Sequence, residues 1–166
     1  LNQQPPWIDD NTGLRLPDEM VEAGMKAEMK SIEEFEGKVE ICEKDLPEGT
    51  KVIPLRWVLV MKTLKGPKRV KARLVAMEIN KGEPMDTFAG TPSVVGLFLL
   101  FALALQFGLQ IYLGDVVTAF LQALLPAGVF VVVRPPVALR RPGYLWRLRR
   151  ALYGLRRSPQ HFQLFL

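Results

Sequence analysis

The most informative part of this chain is the stretch Leu113-Gly114-Asp115-Val116-Val117-Thr118-Ala119-Phe120-Leu121. Ile111 and Tyr112 lead into it and favour a strand, and the residues from Thr118 onward favour a short helix. A carboxylate at a strand-to-helix turn is well placed to bind a divalent cation, because oxygen ligands suit Mg²⁺. Asp is also a common helix N-cap, so Asp115 by itself leaves both interpretations open.

Composition restricts the class of protein. The chain has 166 residues, of which 49% are apolar and 23% charged, as in one globular domain or part of a larger one. The single cysteine, Cys42, excludes a disulfide framework and indicates a reducing compartment. The single histidine, His161, leaves little material for zinc hydrolysis or a Ser-His-Asp triad. We expect no signal peptide, since no basic segment precedes an apolar one.

Charge is distributed unevenly along the chain. Residues 1–50 hold 13 acidic and 5 basic side chains, residues 51–115 hold 4 acidic and 9 basic ones, and residues 116–166 hold 8 arginines and no acid. This asymmetry favours a polyanionic partner such as nucleic acid for both the second and the third of these stretches, most strongly where the arginines have no local counter-charge. The alternative is that the acidic N-terminal part packs on the basic part.

The first third of the chain is predicted to contain a lead-in, a helix and a strand. Residues 1–17 are rich in turn-forming residues and are expected to be flexible. A helix is predicted from Asp18, as its N-cap, to about Phe35, and a short strand at Val39–Cys42.

An antiparallel hairpin with basic flanks is predicted next. Val52–Met61 is rich in β-branched and aromatic residues, and Val70–Met77 has the same character. The connection at residues 64–68 contains Gly66 and Pro67, which suit a turn.

The segment from Thr87 to Gly114 carries no charged residue, so residues 93–113 must be considered as a membrane span. Its glutamines and glycines, and a change of pattern midway, favour a buried helix at Val94–Leu105 and a buried strand at Leu109–Leu113 instead. Further predicted elements are a short helix to about Leu124, strands at Val129–Val133 and Tyr144–Leu148, and a final amphipathic helix reaching Leu166.

Four blocks in this order resemble the reverse transcriptase domain of copia-type LTR retrotransposons, over roughly residues 20–166. The blocks are Ile53–Lys62, Arg69–Ala76, Asp115–Leu121 and Ala151–Pro159. The resemblance implies an α+β fold for residues 18–166: the fingers and partial palm of a right-hand polymerase, with an antiparallel sheet and packed helices. It also implies RNA-directed DNA synthesis from dNTPs on an RNA template and a DNA primer.

The same resemblance implies a metal site and a nucleotide site. Asp115, with the backbone carbonyl of Val116, is expected to bind Mg²⁺ (or Mn²⁺) in a two-metal reaction. Phe120 is expected to screen the 2′ position of the sugar, although a core aromatic is an equal alternative. The other nucleotide-binding residues implied are Lys71, Arg73, Tyr153 and Gly154.

Lys71 and Arg73 lie two residues apart, so they share a face of their strand, which is either the nucleotide-facing one or simply solvated. The residues expected to contact nucleic acid are Lys62, Lys68, Arg69, Arg156, Arg157 and Ser158. For Arg156 and Arg157, a basic helix start on the surface is the alternative.

Several positions depart from the family pattern. Met77-Glu78 stands where a basic residue and glycine are usual, and Arg157 and Gln160 stand as if exchanged. No Asp or Glu follows Asp115, so the family's Tyr-Val-Asp-Asp hairpin is absent. We therefore expect a C-terminally truncated or degenerate piece that is inactive alone.

The expected partners are nucleic acid, dNTPs and the remainder of a Pol polyprotein: the rest of the palm, thumb, RNase H and integrase. The resemblance implies a location in cytoplasmic virus-like particles or the nucleus, and leaves the oligomeric state open. Two alternatives stay open: a non-catalytic nucleic-acid-binding remnant, and a membrane-associated protein using residues 93–113.

Overall fold

The computed structural model describes residues 4–63, 66–79, 82, 87, 89–90 and 92–166. Part of the predicted hairpin turn, at residues 64–65, and most of residues 80–91 lie outside this set. The described residues form helices α1 (Asp18–Glu34), α2 (Val94–Phe107), α3 (Ala119–Gln122) and α4 (Ser158–Phe165), and strands β1 (Lys38–Cys42), β2 (Val52–Lys62), β3 (Arg69–Ala76), β4 (Val132–Arg134) and β5 (Tyr144–Leu148).

The five strands form one sheet in the order β1-β5-β4-β2-β3. The predicted hairpin is confirmed: β2 and β3 pair antiparallel from Leu55 opposite Ala76 to Lys62 opposite Arg69. The sheet is mixed rather than antiparallel throughout, because β4 runs parallel to β2. Such a pair requires a long crossover connection, and the chain between β2 and β4 supplies it.

Alternation along the hairpin builds the core. In β3, buried Val70, Ala72, Leu74 and Ala76 alternate with more exposed residues. Leu55, Trp57 and Leu59 of β2 are likewise buried, as are Val21 and Ile32 of α1. A period of two places one side of each strand on the core, which is why the sequence predicts this region well.

Strand β4 differs from its prediction in length and position. The expected strand Val129–Val133 is reduced to Val132–Arg134. It lies between β2 and β5, and the side chains of Val132 and Val133 are fully buried. Its edges are therefore paired, and this strand is not an exposed edge prone to aggregation.

Helix α1 begins where the sequence predicts, but Asp18 is not its N-cap. Pro17 occupies the cap position and makes no side-chain hydrogen bond to the helix. Asp18 lies in the first helical turn, where its negative charge suits the positive end of the helix dipole. Its carboxylate lies 3.9 Å from the Arg15 guanidinium.

Helix α2 forms as predicted, but it is not buried, and no strand follows it. Ala104 is its one buried residue, and residues 109–116 have no regular structure. The Leu113 side chain is fully exposed. A helix that is apolar on all sides needs cover on all sides, which the described residues do not supply. None of the helices described is both long and apolar enough to cross a bilayer.

The segment before α1 packs against β2, whereas its composition predicts a flexible lead-in. The buried Asp9 carboxylate accepts backbone hydrogen bonds from Asn11 at 2.8 Å, Thr12 at 2.9 Å and Met61 at 2.6 Å. Asp10 accepts a further one from Leu59 at 2.7 Å. Two carboxylates thus fasten residues 9–12 to the outer part of β2.

Low pH should weaken the hydrogen bonds that the Asp9 carboxylate accepts. The hydrogen bonds to Asp9, first that from Met61, lower the pKa of its carboxyl from the usual 3.8. The unfolded chain, with the higher pKa, takes up the proton more readily as the pH falls. The stabilisation by Asp9 is therefore complete above about pH 4 and is lost as the pH falls through the folded-state pKa.

We predict that Asp9→Asn lowers the midpoint of urea unfolding at pH 7, because the amide group turns a donor toward a backbone N–H. The variant should also lose less stability than the wild type between pH 5 and pH 2. Asp45→Asn, at an exposed carboxylate, is the matched control. Identical pH profiles for wild type and Asp9→Asn would contradict this role of Asp9.

Candidate nucleotide and nucleic-acid interface

The outward face of β3 carries a row of cations. Arg69, Lys71 and Arg73 alternate with the buried core residues of the strand, so they lie on one face, as predicted. Lys62 of β2 pairs directly with Arg69 in the register of the hairpin and adds a fourth positive charge.

Among the described residues, the Glu28 carboxylate is near enough to interact electrostatically with Lys71 and Arg73, but no ion pair joins them. None of the ion pairs found there involves Lys62, Lys68, Arg69, Lys71 or Arg73. Burial lowers the pKa of Lys71, and the nearby charges of Arg73 and Lys62 lower it further. A group of mutually repelling cations attracts a polyanion, so this hairpin has the electrostatics of a phosphate-binding surface.

Three predicted nucleotide-binding residues come together beside this row. The Tyr153 ring lies 4.8 Å, centroid to centroid, from the half-buried Phe120 ring in an edge-to-face contact. The Arg73 guanidinium carbon lies 5.0 Å from the centroid of the same Tyr153 ring. Cation–π and edge-to-face contacts hold all three side chains in defined orientations.

Gly154 makes this convergence possible. Its φ of +83° favours glycine, and a Cβ at this position would lie 2.0 Å from the Ala76 carbonyl oxygen and 2.6 Å from Val75 Cγ1. The Ala76 N–H donates to the Tyr153 carbonyl at 2.7 Å. The chain therefore crosses the end of β3 at backbone contact, which places Tyr153 beside Arg73.

Glu78, the acid that departs from the family pattern, braces this crossing. One carboxylate oxygen accepts the Arg156 backbone N–H at 2.8 Å, and the other lies 3.7 Å from Lys51 Nζ. The Glu78 side chain is 11% exposed. Its charge is thus used inside the protein, and it connects the end of β3 to the turn before α4.

Residues at the start of α4 divide between the interior and the surface. Ser158, predicted to contact nucleic acid, is fully buried, and its hydroxyl donates to the Leu152 carbonyl at 2.6 Å. It stabilises the turn and does not reach the surface. Arg157 is exposed, and its charge, together with burial as the larger cause, lowers the pKa of His161.

Most arginines of the last third have partners within the chain. Three ion pairs join these arginines to acids that lie in or beside β1. The pairs are Arg149 with Glu36 at 3.2 Å, Arg141 with Glu40 at 3.2 Å, and Arg134 with Glu43 at 2.8 Å. The Arg150 side chain donates to the carbonyl oxygens of Phe35, Leu121 and Gln122.

The antiparallel pairing of β1 with β5 brings these opposite charges together. Among the described residues, three of the eight arginines after residue 115 therefore form ion pairs with acids of the N-terminal part. For Arg134, Arg141 and Arg149 the structure supports the alternative of pairing with the acidic N-terminal part, and contact of the segment with nucleic acid stays a prediction.

Asp115 lies in the exposed, irregular segment between α2 and α3 and not at the end of a strand. Among the described residues, no three Asp, Glu, His or Cys side chains converge on a point that could hold a metal ion. Asp115 and the Val116 carbonyl thus provide at most part of a Mg²⁺ or Mn²⁺ site. The residues described do not fit a complete two-metal centre.

Comparison with known proteins identifies relatives. Residues 42–166 match a family model described as reverse transcriptase (RNA-dependent DNA polymerase). Two Arabidopsis thaliana proteins, the retrovirus-related Pol polyproteins from transposons RE2 and RE1, are 32% and 31% identical over 121 residues. The alignments cover 69% of this chain but 8% of each relative, so the chain spans less than a tenth of their length. No solved structure gives a significant match.

The crossing at Gly154 can be tested against a glycine with similar backbone geometry. Gly143 has a φ of +75°, but a Cβ there would meet nothing within 4 Å. We predict that Gly143→Ala costs about 1–2 kcal/mol of unfolding free energy, the strain of a left-handed alanine. Gly154→Ala should cost at least about 1–3 kcal/mol more, because its methyl group overlaps β3. Urea denaturation measures both, and equal losses would contradict the close crossing.

Proposed function

This chain belongs to the reverse transcriptase (RNA-dependent DNA polymerase) family, and from that premise we propose that it forms the nucleotide- and template-holding part of a copia-type Pol polyprotein. In this proposal the β2–β3 hairpin belongs to the fingers, and the segments around Asp115 and Tyr153 belong to the first part of the palm. The reaction of the intact polyprotein is addition of deoxynucleotides to a DNA primer on an RNA template.

The convergence of Arg73, Phe120 and Tyr153 carries this proposal. A guanidinium binds phosphate oxygens through paired hydrogen bonds, and aromatic rings pack against the sugar and base of a nucleotide. Arg73 contacts the ring of Tyr153, so the phosphate-binding and ring-packing groups form one surface.

Phe120 is proposed to exclude ribonucleotides by steric conflict with a 2′-hydroxyl. Its ring is held on two sides, with centroids 4.8 Å from Tyr153 and 6.2 Å from Phe162. A ring fixed in this way cannot easily move aside, which is what a steric filter requires. The Tyr153 ring contacts both Phe120 and Arg73, the residue that is proposed to bind the phosphates.

The chain alone is proposed to bind substrates without joining them. Reverse transcriptases generally use divalent metal ions, and phosphoryl transfer depends mainly on stabilising charge on the reacting phosphate. Asp115 is the last carboxylate side chain in the sequence, and the described residues supply no complete metal site. Further carboxylates, primer positioning and RNase H activity would come from other parts of the polyprotein.

The second candidate function is a nucleic-acid-binding remnant without polymerase chemistry. The isolated position of Asp115 favours it, because the hairpin can bind nucleic acid by charge alone. The two candidates differ in one property. The nucleotide-holding piece binds a deoxynucleoside triphosphate at Arg73 and Tyr153, whereas the remnant binds only nucleic acid.

We predict that photo-crosslinking with 4-thio-dTTP labels the wild-type chain, and that Arg73→Gln and Tyr153→Leu each reduce labelling about tenfold, through loss of about 1.4 kcal/mol of binding energy. Arg149→Gln, at an arginine already paired with Glu36, is the control and should label normally. In a primer-extension assay with Mg²⁺, neither the wild type nor Asp115→Ala should lengthen the primer.

Two results would contradict this account in different ways. Equal labelling of all the variants, or none of the wild type, would favour the nucleic-acid-binding remnant. Extension by the wild type that Asp115→Ala abolishes would show that the chain contains a complete catalytic site.

A further inference from the structure

A cleft of about 550 Å³ lies between α1 and the outer edge of β3, with Val117 and Thr118 also lining it. Pockets that hold small molecules have volumes of about 300–1,000 Å³, so this cleft is large enough for a nucleobase. The walls are unlike each other: β3 and the residue before it contribute Lys68, Arg69 and Lys71, whereas α1 contributes Ala23, Ala27 and Glu28.

The sequence of α1 creates the cleft. At Gly24, a Cβ would lie 2.6 Å from the Val70 carbonyl oxygen, so glycine allows the helix to contact the strand edge there. On either side of this contact, Ala23 and Ala27 are too small to fill the remaining space. Deeper along the edge, the Glu28 carboxylate accepts the Leu74 N–H at 3.2 Å, and burial, the largest influence, raises its pKa.

The two walls match the two parts of a nucleotide. The small side chains of α1 offer apolar contacts to a base. The oxygens of Glu28 and Ser31, which already bond the Leu74 N–H and the Ala27 carbonyl, can still accept hydrogen bonds from its edge. The cations on the other wall offer charge to phosphates. From Arg69 to Arg73 the row of cations extends about 13 Å, at about 3.3 Å per residue. This length suits a chain of phosphates rather than a single group.

We propose that the α1–β3 cleft receives one unpaired base of a single-stranded nucleic acid whose phosphates lie along β3. The proposal rests on the function proposed above and extends it to α1, which lies outside the residues matched by the reverse transcriptase family. A paired and stacked base is not available to such a cleft, so single strands are bound in preference to duplexes.

Fluorescence anisotropy with a 5′-fluorescein-labelled 12-nucleotide oligouridylate tests the proposal on the full chain. Ala27→Phe fills the cleft, and Met20→Trp fills it from the first turn of α1, so one variant remains if the other folds poorly. Ala127→Phe makes the same change at an exposed alanine outside the cleft.

We expect both cleft variants to weaken oligouridylate binding about tenfold, with Ala127→Phe unchanged. The slope of log Kd against log salt should stay the same, because no phosphate contact is removed. The wild type should also prefer the single strand to a 12-base-pair duplex, and free UTP should compete poorly.

Each contrary outcome identifies what fails. Wild-type affinity in both cleft variants would overturn the base-binding cleft and leave the basic interface in place. If UTP bound tightly and Ala27→Phe abolished that binding, the ligand of the cleft would be a free nucleotide, and the proposal of a single-stranded nucleic acid would be overturned. Absence of oligouridylate binding by the wild type would overturn this inference together with the nucleic-acid interface on which it rests.

Discussion

The backbone contact between Gly154 and the end of β3 is the constraint on which the candidate site depends. It fixes the turn before α4 against Ala76, and Glu78 braces the same turn through the Arg156 N–H. As a result, Tyr153 lies between Arg73 of the hairpin and Phe120 of α3. Residues from three distant parts of the sequence share one surface because one glycine allows the chain to cross a strand at contact distance.

Charge compensation decides which part of the molecule remains available to a polyanion. Acids in or beside β1 form ion pairs with Arg134, Arg141 and Arg149, near the ends of β4 and β5, whereas no ion pair among the described residues involves a cation of β3. Net charge along the sequence suggests that both the hairpin region and the arginine-rich end bind a polyanion. The structure favours the hairpin, because strand pairing decides which charges meet.

The sequence predicts the parts of the fold that depend on local pattern. Alternation of apolar residues identifies β2, β3 and the shared face of Lys71 and Arg73, because a strand exposes every second residue. The role of Ser158 could not be predicted in this way, since its buried hydroxyl bond depends on the path of the turn. The pairing of Arg149 with Glu36 depends on β1 lying beside β5, and no local pattern reports that.

Around Asp115, the local sequence pattern predicts a strand that the described residues do not form. The apolar approach to Asp115 predicts a buried helix and a buried strand, but periodicity does not say what covers them. In the structure α2 is largely exposed, and residues 109–113 form no strand. The resemblance to a polymerase motif implies that Asp115 is a metal ligand, yet the described residues form no cluster of three or more potential ligands. The role of Asp115 as a metal ligand therefore stays a prediction from the sequence.

The most direct test of the account compares the hairpin with the arginine-rich end in RNA binding. The dissociation constant of a labelled RNA is measured across salt concentrations for wild type, Lys62→Gln/Arg69→Gln and Arg134→Gln/Arg149→Gln, which each remove two positive charges. The account predicts weaker binding and a salt slope reduced by about 0.7 per lost phosphate contact for the hairpin variant alone. Weaker binding and a smaller slope in the Arg134/Arg149 variant, with the hairpin variant unchanged, would contradict it.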